Sequence, residues 1–120
     1  MKYLIVLALL IFSMSGCYYD RTEDMAHPVV ICDSLPATYT ATIVPIITSN
    51  CLGCHSGSNP SGGIHLDFYG PLRAQIMAGV LLPSIKHSPG ANFMPKNGGM
   101  LSKCDIDKIT RWIAAGYLNN

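Results

Sequence analysis

Charged side chains are scarce in this sequence: Asp, Glu, Lys and Arg make up 12% of 120 residues, with eight basic groups against seven acidic ones. A nucleic-acid surface or a polybasic membrane patch needs clustered Lys and Arg, and no such cluster is present. Long apolar runs are missing too. The longest, Tyr3 to Phe12, has ten residues, against the roughly twenty that a bilayer-spanning helix requires. The length leaves room for one domain, which excludes a multi-domain enzyme. A hydrophobic content of 49% excludes intrinsic disorder.

What is present begins with an export leader. Lys2 gives a positive start, Tyr3 to Phe12 an apolar core, and Ser13-Met14-Ser15-Gly16-Cys17 sets small residues just ahead of a cysteine. This pattern reads as a signal peptide over residues 1–16. The segment ending at Cys17 resembles the lipobox of bacterial lipoproteins, with Met14 where Leu is usual; the resemblance implies that Cys17 is acylated and becomes the new N-terminus. The alternative is ordinary signal cleavage with Cys17 left as a free thiol. Acyl chains add about 0.8 kcal/mol per buried methylene, so several anchor a domain to a membrane without spanning it. Loss of Lys2 brings the basic side chains level with the acidic ones. The expectation is an exported bacterial protein on the periplasmic or cell-envelope face, with residues 17–37 as a lipid-anchored tether and 38–120 as the folded domain.

Five cysteines must be accounted for: Cys17, Cys32, Cys51, Cys54 and Cys104. An odd number in an exported chain leaves a spare thiol, and lipid on Cys17 removes it. Cys51-Leu52-Gly53-Cys54-His55 is C-x-x-C-H, the haem c attachment pattern. Two thiols at that spacing can add to the two vinyl groups of one porphyrin, and the adjacent His55 is carried under the iron as proximal ligand. A redox-active C-x-x-C needs a thioredoxin-like βαβ pattern, which is not visible, and a zinc site needs a second ligand pair that Cys104 alone does not give. Cys32 and Cys104 remain. An oxidising compartment favours a bridge between them, the alternative being two separate buried thiols.

An iron with one protein ligand wants another. Phe93-Met94-Pro95-Lys96-Asn97-Gly98-Gly99 has no helical or strand periodicity; Pro95 restricts Met94 to extended geometry, and the glycines let the chain turn back. A thioether in such a loop can point at an iron, which makes Met94 the expected distal ligand. Met100, His87, Met77 and His65 compete with it. Met77 is expected in the core and Met100 in packing beside Leu101; His27, His65 and His87 are expected as solvated surface.

Elsewhere, Thr40 to Asn50 favours a strand by its Ile and Val content, while Pro45 suits the first turn of a helix capped by Thr42 or Thr40. Gly62-Gly63 breaks the chain. Pro71 to Ala78 predicts a short helix stopped at Gly79, and Leu81 to Lys86 another. Ser102 with Asp105 predicts a capped last helix whose stripe is Ile106, Ile109 and Ile113, with Trp112 beside it and Gly116 as its stop.

Together these pieces resemble a small monohaem c-type cytochrome domain (class I-like) of an exported lipoprotein. The resemblance covers roughly Thr38 to Gly116: Ile43-x-Pro45-Ile46 before Cys51-x-x-Cys54-His55, Gly62-Gly63-x-x-Leu66 after it, Met94-Pro95, Leu101, Trp112-Ile113 and Gly116. It implies an all-α, cytochrome c-like fold, with N- and C-terminal helices around one covalent haem c and short helices and loops between. It also implies that the segment before Cys51 is a helix crossing the last one, against its strand propensity. Haem attachment then falls to Cys51 and Cys54, and iron ligation to His55 and Met94. Ile109, Trp112, Ile113 and the Leu81-Leu82 segment are expected to cover the haem. A His/Met-ligated iron has no open position, so the expectation is electron transfer with redox partner proteins, with no enzymatic activity and no small-molecule substrate. The alternatives are a haem enzyme or gas or peroxide sensor whose sixth site is open or displaceable, and an accessory haem subunit of a respiratory complex.

Overall fold

A computed structural model of the protein describes Cys32 and residues 35–96 and 98–120. The leader over 1–16, the expected lipidation position Cys17, His27 and most of the tether lie outside the described residues. Among those described the structure is helical and contains no strand. A wide π-helical turn, Tyr39–Ile43, runs into α1, Val44–Asn50. A 3₁₀ turn at Ser61–Gly63 follows, then α2, Tyr69–Met77, α3, Leu81–Ile85, and α4, Lys103–Ala114.

Burial overrides β propensity in α1. Ile43, Ile46 and Ile47 sit at i, i+3 and i+4 on one buried face, while Val44 between them stays exposed. Pro45 falls in the first α-helical turn, where its missing N–H costs nothing. The cap differs from the expected Thr40 or Thr42. Thr38 holds that position, its hydroxyl accepting from the Ala41 N–H at 3.3 Å, and Thr42 accepts in return from the Thr38 N–H at 3.3 Å. The π turn explains the shift: both the Thr42 and Ile43 N–H groups donate to the Thr38 carbonyl at 3.1 Å, so the helix opens earlier and wider.

α2 also opens early, at Tyr69, with Pro71 inside its first turn. It stops at Gly79, which takes a left-handed φ of 68°, and the Val80 N–H closes back to the Gln75 carbonyl at 3.1 Å. α4 has the expected start: Ser102 Oγ accepts from the Asp105 N–H at 3.1 Å and donates to Asp105 Oδ2 at 2.8 Å. It ends at Gly116, with φ 96°. The first turn of α4 is tied to the tether by a disulfide between Cys32 and Cys104.

One core joins these elements. Ile43, Leu72, Leu81, Ile109 and Trp112 belong to one buried cluster, and the Tyr39–Ile43 turn lies against α4. Two methionines depart from expectation. Met77 is 63% exposed and Met100 53% exposed, so neither is core. Leu72 and Ile76, four residues apart, carry the inward face of α2 and leave Met77 turned away. In the extended approach to α4, Leu101 takes the buried place and its neighbour Met100 the outer one.

Candidate functional site

α1 ends at Asn50, and the chain continues for one more turn. The Cys51 N–H reaches the Ile47 carbonyl at 2.8 Å, and the Cys54 and His55 N–H groups both reach the Cys51 carbonyl, at 3.1 and 3.0 Å. This turn sets Cys51 and Cys54 three residues apart on neighbouring positions. Neither thiol is bonded to another cysteine. Their surroundings differ: Cys54 is exposed, whereas Cys51 is packed against the core, and burial pushes its thiol up to about 11.

His55, the next residue, is buried. Its Nδ1 lies 3.1 Å from the Ile64 carbonyl. A carbonyl only accepts, so Nδ1 carries the proton, which in the ligating tautomer leaves the lone pair on Nε2. The loop between is held so that this contact is made. The Ser61 N–H donates to the Cys54 carbonyl at 2.8 Å, and the Leu66 N–H to the His55 carbonyl at 2.8 Å. Gly62 and Gly63 take φ of 65° and 67°, folding the chain back over the imidazole. The glycine pair stood out in the sequence; the Ile64 carbonyl it delivers did not, because a backbone acceptor has no residue-type signature.

Met94 is half-buried in its loop, which is fastened to α3. The Met94 N–H donates to the Ser84 carbonyl at 3.1 Å, and His87 Nε2 donates to the Met94 carbonyl at 3.0 Å. The His87 ring also stacks on Phe93, with centroids 4.8 Å apart and planes 8° from parallel. His87 is therefore engaged structure rather than the solvated surface expected of it. His65, expected as solvated surface, is only partly exposed, with its buried Nδ1 3.4 Å from Asp67 Oδ1.

Cys51, Cys54 and His55 are thus brought onto one turn, and Met94 is held separately on the α3 side. Of the residues expected as haem cover, Ile109, Trp112 and Leu81 are enclosed by the protein itself, while Leu82 and Ile113 are half-buried. Among the described residues no three His, Cys, Asp or Glu side chains converge as a metal-ion site. The two best-formed hollows are lined by none of these residues. One, of about 480 Å³, lies between Leu35, Pro45 and Lys108; the other, of about 70 Å³, lies between Tyr39, Leu52 and Leu72. In comparisons with family models, curated proteins and solved structures, nothing matches this chain.

Proposed function

We propose that this protein is a lipid-anchored, monohaem c-type electron carrier of a bacterial cell envelope. Haem is attached through Cys51 and Cys54, its iron is bound by His55 and Met94, and Cys17 carries the lipid. The observation that carries the reading is the state of His55. Its Nδ1–H is spent on the Ile64 carbonyl, which leaves Nε2 as the donor, fixes the ring plane and raises ligand basicity, as a proximal histidine requires. It lies directly beside two unbonded thiols on a single turn. The donor set fits the group: two thiols for two vinyl additions, one imidazole and one soft thioether. Phe68, Val80 and Phe93 leave apolar surface uncovered by protein, of the kind a porphyrin face needs.

When bound, the haem supplies a reversible one-electron iron couple. The chain's own residues then act by holding still. The Ile64 carbonyl keeps the His55 proton on Nδ1, so no proton need move with the electron. The ties from Met94 to Ser84 and His87 hold the loop in one place, which would keep its thioether at hand as a donor. Methionine favours ferrous iron, which places the potential above that of a bis-imidazole site.

The test is the intact mass and alkaline pyridine spectrum of the leader-processed protein, made in cells with haem-attachment machinery. One haem beyond polypeptide and acyl groups is expected, with loss of attachment in Cys51→Ala/Cys54→Ala. A mass accounted for by polypeptide and lipid alone would overturn the proposal. Rapid carbon monoxide binding by the ferrous protein would point instead to a sensor or enzyme.

A further inference from the structure

His87 sits where a histidine is costly. It follows the C-cap of α3, Lys86, with a left-handed φ of 52°. Its N–H bonds to the Ser84 carbonyl at 3.3 Å, and the next N–H, of Ser88, reaches back to the Pro83 carbonyl at 2.9 Å. That is the helix-ending turn whose left-handed position glycine normally fills, because a side chain there is strained. Nearby turns of this fold follow the usual rule, with Gly79 after α2 and Gly116 after α4. Strain of this kind persists where the side chain has work elsewhere. The imidazole has such work: one nitrogen donates to the Met94 carbonyl at 3.0 Å, and its face lies flat on Phe93, the residue before Met94.

We infer that His87 is a positioning residue for Met94. It clamps the two residues that lead into the loop, Phe93 by its face and Met94 by its edge, and so fixes where the thioether is presented. This rests on the proposal that Met94 ligates haem iron. In this arrangement His87 Nε2 is taken up in holding the loop.

The two roles open to His87 predict opposite results for His87→Gly. If the residue only ends α3, glycine is the better residue there, and the iron site should be unchanged. If it positions Met94, His87→Gly should keep the helical circular dichroism yet lose most of the weak far-red band that a thioether–ferric iron bond gives. Carbon monoxide should then bind the ferrous protein about five- to tenfold faster, the weight of one hydrogen bond. His87→Gln, which retains a side-chain N–H donor, should recover part of the band, and it remains informative if the glycine variant folds poorly. A far-red band and carbon monoxide rate equal to wild type in both His87→Gly and His87→Gln would overturn the inference. If wild type itself lacks the band, and Met94→Ala is identical to it, then methionine ligation fails and the positioning role falls with it. A band present in wild type and absent in Met94→Ala separates that case from a failure at His87 alone.

Discussion

At the scale of single residues, the two thiols of the C-x-x-C-H turn are chemically unequal. Spacing alone treats them as a pair, but Cys51 leans into the core while Cys54 faces solvent. Burial raises the Cys51 thiol to about 11, so roughly one molecule in a thousand carries its thiolate at pH 8. In protein made without haem attachment, iodoacetamide at pH 8 should therefore modify the exposed Cys54 well before Cys51, as read by peptide mass mapping. Equal rates would show that the turn opens in solution. The linkage has a definite sign. A thiol raised on folding keeps its proton while the unfolded chain loses it, so stability is full below the unfolded value and falls as pH rises from about 9 towards 11. A Cys51→Ala variant should lose part of that alkaline decline in urea titrations. None of this asymmetry is legible in the sequence, because it depends on which side of one turn meets the core.

At the scale of elements, what could be read was local and what could not was conformational. The start of α4 was legible because Ser102 and Asp105 complete their contact within four residues. The direction of α1 was only partly so. Ile43, Ile46 and Ile47 have the spacing of a helical face and the branching of a strand, and burial decided between them. The π-helical opening that moves the cap to Thr38 has no compositional mark. The covalent tie from Cys32 to Cys104 followed from counting thiols, and it joins the tether to the first turn of α4 across 72 residues of sequence. Closing so long a loop removes unfolded-state freedom worth up to about 4 kcal/mol. A Cys32→Ala/Cys104→Ala variant should lose about 2–4 kcal/mol in urea unfolding, while intact mass of the wild type should rise by two hydrogens on reduction. A double variant as stable as wild type would mean that burial of α4 alone holds that helix. Replacing Ser102 by Ala should cost about 1 kcal/mol in the same assay.

At the scale of the whole molecule, the two ends of the domain close on one aromatic centre. Trp112 is buried, stacks with Tyr39 at 5.9 Å and donates from its indole N–H to the Leu118 carbonyl at 3.0 Å. Tyr69 meets Tyr39 edge-on at 5.2 Å and donates to the Tyr117 carbonyl at 2.8 Å. Asn120 then reaches the opening turn of the first helix, taking the Tyr39 N–H on its side chain at 3.0 Å and the Thr40 N–H on its carbonyl at 2.9 Å. Orphan helix donors are thus satisfied by the far end of the chain, a pairing across some 80 residues that no local pattern announces. Trp112→Ala empties the centre and should cost about 3–5 kcal/mol. Trp112→Phe, which keeps an aromatic ring but strands the Leu118 carbonyl, should cost about half as much.

The proposed haem would also contribute to the stability of the fold. Among the described residues eleven buried apolar side chains form the core, and domains this small commonly lean on disulfides or bound groups. Here Phe68, Val80 and Phe93 remain exposed, and the Met94 loop is fastened to α3 by its backbone. A group that binds only the folded state stabilises it in proportion to the contacts it adds. The haem-free Cys51→Ala/Cys54→Ala protein should therefore retain the α1 and α4 helicity, since those helices are closed by Trp112 and by the Cys32–Cys104 bridge. It should melt well below the haem-loaded protein, and hydrogen exchange should quicken first in residues 79–100. A uniform quickening over the whole chain would mean instead that the aromatic centre itself depends on the haem. An unchanged melt would mean that the exposed side chains of Phe68, Val80 and Phe93 are not covered by a porphyrin.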